Sequence, residues 1–213
     1  MLSRSFVLAR GEWALLATFM VAVSAVTGAE RARLIPLSVL AASPHAIAEA
    51  RVWLLVTSAL LVQAPYFWSV LTFGLLGALG LAVCGGRVLW ISALAGHVGS
   101  SLLVYALLEA SRTVEPHAFS GLQTAPDYGV SAISAAWLGA IASTSWRARN
   151  RTPRGRFAIV LAVAAMAVFG WMLRRHLSFL DLEHVVAFAI GVNVAVQLSA
   201  ARRTVRTPKT ALS

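Results

Sequence analysis

Ser131 and His184 are two residues of this chain whose types and places could combine in nucleophilic chemistry. A serine hydroxyl attacks a carbonyl only when a neighbouring base takes its proton, and imidazole is the most common such base. Ser131 lies in Pro126–Trp137, PDYGVSAISAAW, where turn residues give way to an apolar run that also carries Ser134. His184 opens a second apolar run, just after Asp181 and Glu183. Each residue has a plainer reading as well. Serine in an apolar helix commonly bonds back to a carbonyl one turn earlier, and Ser134 is read that way. A histidine at a helix start is at home at an interface. The surrounding elements decide between these readings, because they set how close the two side chains come.

Those elements belong in lipid. Of 213 residues, 59% are hydrophobic and 12% charged, with a mean hydropathy of +0.77. Soluble domains carry about twice that charged fraction. Crossing the hydrocarbon core takes roughly 20 residues of helix. Runs of that size without charge occur at Trp13–Ala29, Tyr66–Gly86, Val88–Leu108, Tyr128–Trp146, Phe157–Leu173 and about Val185–Ala201. The expectation is therefore an all-α polytopic membrane protein of six spans, one domain over residues 1–213 with a short basic tail from about 202. The first run is long for a signal peptide, and with or without it the later spans keep their orientation. Gln63-Ala64-Pro65 breaks the long run that starts at Val52, so Val52–Val62 reads as a short half-inserted or interfacial segment. Cys84, the single cysteine, reads as a small buried residue.

The formal charge of +10 follows from topology. Arg4, Arg10, Arg87, Arg147, Arg149, Arg151, Arg154, Arg156, Arg202, Arg203, Arg206 and Lys209 fall on one side of the six spans, with Glu12 the only acid there. The other side holds the remaining six basic residues and seven acids. Basic loops stay cytoplasmic, which puts both termini and the arginine-rich loop after the fourth span in the cytoplasm of a multi-pass plasma-membrane protein. The arginine run then contacts anionic lipid and needs no nucleic-acid partner. Most tryptophans lie near span ends, where interfacial anchoring accounts for them.

With this topology the fourth and sixth spans both enter from the outer face, so Ser131 and His184 come to similar depth. Ser131, Ala135 and Gly139 form a stripe of small residues four apart, and Ala187, Gly191 and Ala195 form another. Such stripes let two membrane helices approach closely. If the stripes face each other, hydroxyl and imidazole come within reach. His97 falls near the middle of the third run, too deep to join them. It is read as a neutral imidazole bonded to a serine or a carbonyl, a histidine at that depth needing a partner. The spacing of His45, His117 and His176 suggests no metal site, and nothing calls for a cofactor.

These features together resemble the rhomboid family of intramembrane serine proteases. The resemblance runs from Trp53 to about Val196. It rests on Gly129-Val130-Ser131-Ala132 opening the fourth helix and on His184-Val185-Val186-Ala187 with Gly191 on the sixth. Val52–Ser58 is similar to the family's first loop, and Leu94–Ser100 to its small-residue third helix. The resemblance implies a six-helix bundle in which Ser131 is the nucleophile and His184 the general base, acting on transmembrane protein substrates without a cofactor. Gly129 and Ala132 would support the motif, and the Ser131 N–H would hold part of the oxyanion. The family's His and Asn on the second helix, four residues apart, help bind that oxyanion. Here the pair becomes Trp68 and Thr72 or Phe67 and Leu71, and Thr72 is the one weak donor left. Losing one such donor costs on the order of 10²–10³ in rate. The glycine after the nucleophile is replaced by Ala132, and Ala82–Gly86 lacks the acid expected after the second helix. Two functions follow as alternatives: a protease that cuts membrane-embedded substrates, or a pseudoprotease that binds transmembrane clients without cutting. A transporter reading would need broken helices or charges paired inside spans, and neither is evident.

Overall fold

The structure is a computed structural model describing residues 2–114, 120–148, 156–157, 160, 163 and 179–206. Among the described residues five long helices carry the fold: α1 (Leu2–Arg31), α4 (Tyr66–Cys84), α5 (Gly86–Val114), α6 (Gly129–Ala148) and α7 (Phe179–Arg206). Two short helices, α2 (Pro44–Ala48) and α3 (Leu54–Thr57), lie in the loop between α1 and α4. Among the described residues there is no β-strand, only an isolated antiparallel bridge between Ala42 and Asp127. The all-helical class expected from sequence is thus what forms. Four described helical stretches are long and apolar enough to cross a membrane: Arg10–Arg31, Tyr66–Cys84, Gly86–Val114 and Asp181–Ala201. The expected fourth span corresponds to α6, 20 residues long, whose small residues make it less apolar and whose side chains are mostly buried against its neighbours. The expected fifth span, Phe157–Leu173, falls outside the described residues but for isolated positions.

Local chemistry explains the breaks. After Val62 the chain leaves the helical state through Gln63, Ala64 and Pro65 before α4 begins at Tyr66. Leu54, Leu55, Ser58, Leu61 and Val62 are buried while Val52, Trp53 and Val56 are exposed, so one face of this segment is tucked into the bundle, as suits irregular backbone among membrane helices. At the other end of α4, Gly85 adopts φ 79° and its N–H bonds to Leu81 O. That positive φ suits glycine and lets α5 start at once.

Trp137 is the centre of the core. Fully buried, it stacks on Phe73 at 4.7 Å and meets Trp90 edge-on, and its Nε1 donates to Leu89 O at 3.0 Å. Trp90 is thereby held in an aromatic group with Phe19, so packing joins interfacial anchoring as its role. Gly77 of α4 lets this group close, because a Cβ there would stand 2.9 Å from both Leu16 and the Trp137 ring.

Helix directions follow from contacts. Arg31, at the end of α1, lies 4.1 Å above the Tyr66 ring at the start of α4, while Glu12 of α1 meets Gly86. Ala132 and Ala136 of α6 cluster with Ala187 of α7, and further along Ala140 and Ile141 cluster with Ala195, so α6 and α7 run parallel. The amino-terminal half of α1 and the carboxy-terminal half of α7 therefore lie at the same end as the Gly85–Gly86 turn. Arg87 and Arg147 are at that end too, and Arg31 and Arg112 at the other, which agrees with the two-sided division of charge made from sequence.

Candidate functional site

The two stripes of small residues face each other. A Cβ added to Gly139 would collide with the Phe188 carbonyl, and one added to Gly191 with the Ala136 carbonyl. Backbone meets backbone, which is what glycine at these positions permits. In the parallel register set by these contacts, the first turn of α6 comes level with the first turns of α7. Ser131 and His184 therefore stand at the same level of two helices in direct contact.

Their hydrogen bonds define the resting state. Ser131 is half-buried; its Oγ donates to Tyr128 O at 2.9 Å, and its backbone N–H points to the same carbonyl at 3.2 Å. One carbonyl thus occupies both the expected nucleophile and the N–H expected to bind the oxyanion. Ser134 donates to Val130 O at 2.8 Å, the back-bond expected of a packing serine. The His184 side chain is 14% exposed, and its Nδ1 is 4.0 Å from Asp181 Oδ1. Ala132 is fully buried in the α6–α7 contact. Thr72 and Trp68 do not join this group. Thr72 is exposed and donates to Trp68 O at 2.7 Å and to Ser69 O at 3.1 Å, while the Trp68 side chain is exposed. The α4 face turned to the core carries Phe73, Gly77 and Gly80 instead. The supporting role expected of Thr72 and Trp68 is therefore not one that their positions serve.

His97 needs a correction of depth. Mid-run in the sequence, it lies against Gly129, where a Cβ would strike its ring. The reason is length. α5 has 29 residues, about 43 Å at 1.5 Å per residue, and its far half runs beyond the start of α6 beneath the α1–α4 loop. The middle of α5 is therefore level with the beginning of α6. His97 Nε2 is 2.7 Å from Leu55 O and 3.3 Å from Ser58 Oγ. A carbonyl accepts only, so Nε2 carries the proton. Nδ1 is buried without a partner, and an uncharged ring is what such a site favours. The expectation that His97 bonds to a serine or a carbonyl agrees with these contacts.

Beside His97 is a group that the sequence reading passed over. Tyr105 Oη donates to Asp127 Oδ2 at 2.6 Å, and Ser101 Oγ lies 2.7 Å from Glu183 Oε1 and 3.4 Å from Asp127 Oδ2. Ser100 Oγ lies 3.4 Å from Glu183 Oε1. Asp127 is 3% and Glu183 1% exposed. Asp127 is four residues before Ser131, and Glu183 immediately precedes His184. A signal was present: His97, Ser101 and Tyr105 recur every four residues and so share one helix face, and Glu183 is an acid at the head of an apolar run. Among the described residues, no group of three or more histidine, cysteine or acidic side chains could hold a metal ion. Cys84 is a free thiol buried in the core. His45 pairs with Glu49 at 3.2 Å on the exposed surface; His117 and His176 lie outside the described residues.

The chain matches no protein-family model, no curated protein and no solved structure.

Proposed function

We propose that this chain is a rhomboid-like, six-span protein of the plasma membrane with cytoplasmic termini, acting as an intramembrane serine protease on transmembrane protein substrates. One observation carries the reading: the close α6–α7 packing holds Ser131 and His184 level with each other. In the reaction Ser131 Oγ attacks the scissile carbonyl as His184 takes its proton, and the imidazolium then protonates the leaving amine. The resting bonds to Tyr128 O must first break. Rotation of the single peptide between Tyr128 and Gly129 frees Oγ and the N–H together, and glycine on one side of that peptide keeps the rotation accessible. The N–H is then available to the oxyanion.

A specific observation also favours the second reading, a pseudoprotease that binds transmembrane clients. Tyr128 O already holds both the hydroxyl and the N–H, and Thr72 faces away. A fluorophosphonate probe applied to the folded protein in nanodiscs decides between them. Labelling that disappears in Ser131→Ala and falls in His184→Ala supports the protease. A folded protein that stays unlabelled, beside an active serine hydrolase labelled in parallel, removes it in favour of client binding.

A further inference from the structure

Among the described residues, the two buried carboxyls of the candidate site have no counter-charge. Neither Asp127 nor Glu183 makes an ion pair with a described residue, and no described arginine or lysine side chain is bonded to either. Both lie within hydrogen-bond reach of one hydroxyl, that of Ser101, which has a single proton to give. Tyr105 supplies one more, to Asp127. Ser100 and Ser101 are also within bonding distance of His97 O, which competes for their protons. Two ionised carboxylates offer four acceptor oxygens, more than these hydroxyls can satisfy. Two like charges buried about one hydroxyl disfavour each other, and a proton on one of them would relieve both the repulsion and the shortage of donors. The other described titratable groups packed against the pair do not balance it. His97 from α5 gives its Nε2 proton to Leu55 O, and a second proton on Nδ1 would be an unsatisfied buried donor. Tyr105 is a neutral donor, and Asp181 on α7 would add negative charge. His184 is the remaining base, engaged toward Asp181.

We infer that Asp127 and Glu183 share one proton and that this acid pair, fastened by Ser101 and Tyr105, is the latch positioning the first turn of α6 against that of α7. The proton turns one carboxyl into a donor, so the pair becomes a hydrogen bond between two chain segments. Each segment leads directly into a candidate dyad residue: Asp127 into the turn before Ser131, and Glu183 into His184. Asp127 N–H also bonds to Ala42 O at 2.8 Å, so the latch ties the α1–α4 loop to the same place. Asp127 and Glu183 are positioning residues. Their role in the dyad rests on the protease reading, but the shared proton does not.

Infrared spectroscopy of the full chain in nanodiscs at neutral pH tests this through the carbonyl stretch of a protonated carboxyl, which is separate from the carboxylate bands. The expected result is one such band in the wild type, lost in both Asp127→Asn and Glu183→Gln. Each amide supplies the N–H that replaces the acid O–H, so both variants stay folded. A wild type without the band, or a band that survives both substitutions, overturns the shared proton. Sodium or potassium sharpening the thermal transition of the wild type but of neither amide variant would also overturn it, by showing a bound cation in the proton's place. If the wild type takes the fluorophosphonate label, the amide variants label at a similar rate while Asp127→Ala and Glu183→Ala label about tenfold more slowly, having left buried partners unsatisfied. Alanine variants that are folded and label like the wild type would overturn the positioning role. Failure of the wild type to label removes the protease reading and leaves the infrared result standing.

Discussion

Gly129 and His97 share one space: a Cβ on Gly129 would strike the imidazole. Gly129 opens the helix that carries Ser131, and the His97 ring is pinned to Leu55 O. The glycine of the serine motif thus answers to packing as well as to chemistry. Gly129→Ala is expected to destabilise the protein by ~1–3 kcal/mol through overpacking. The same substitution in a His97→Ala background should cost much less, because the ring it meets is gone. A double-mutant cycle by chemical unfolding in detergent measures the difference, and equal costs in both backgrounds would refute the contact.

The α6–α7 contact predicts a stronger effect. Gly139 and Gly191 each face a backbone carbonyl of the other helix, and backbone has little room to move aside. Gly139→Val or Gly191→Val should lower thermal stability by an amount corresponding to ~3 kcal/mol or more, at the upper end of overpacking effects. Any fluorophosphonate labelling should fall with it, since separating the helices parts Ser131 from His184. Wild-type thermal stability in either variant would count against the interface.

Trp137 separates packing from hydrogen bonding. Trp137→Phe keeps most of the stack on Phe73 and loses the bond to Leu89 O, a cost of about 1 kcal/mol. Trp137→Ala empties the centre of the core and should cost about 3–5 kcal/mol. The ratio of the two, from unfolding midpoints, reports how far stacking outweighs the single bond.

Thr72 offers a negative control. Its hydroxyl bonds to its own helix on an exposed face. Thr72→Val should change stability by no more than ~0.5 kcal/mol and leave fluorophosphonate labelling as it is. A large drop in labelling would mean that α4 turns during the reaction and brings Thr72 to the oxyanion.

Orientation has its own measurement. Reporter fusions within residues 147–156 should report the cytoplasm, following the distribution of basic residues. A reporter active only outside the cell would reverse the assignment of both termini.

The sequence by itself determined the helical class, the break at Gln63-Ala64-Pro65 and the grouping of Arg87 and Arg147 away from Arg31 and Arg112. These follow from properties that each segment carries alone: apolar length, turn chemistry and charge. It also identified the two small-residue stripes, because a spacing of four puts residues on one face of any helix. Tertiary structure decided that the stripes meet, and that α5 is displaced along α6 so that His97 stands at Gly129 and not deep below it. Helix offset depends on side chains from several segments fitting at once, and no single run of residues encodes it. The same holds for Asp127 and Glu183. Each looks like a polar residue at the head of an apolar run, and only packing α5 between the two heads brings both carboxyls to Ser101. Burial then removes water from both, the condition on which the inferred shared proton rests.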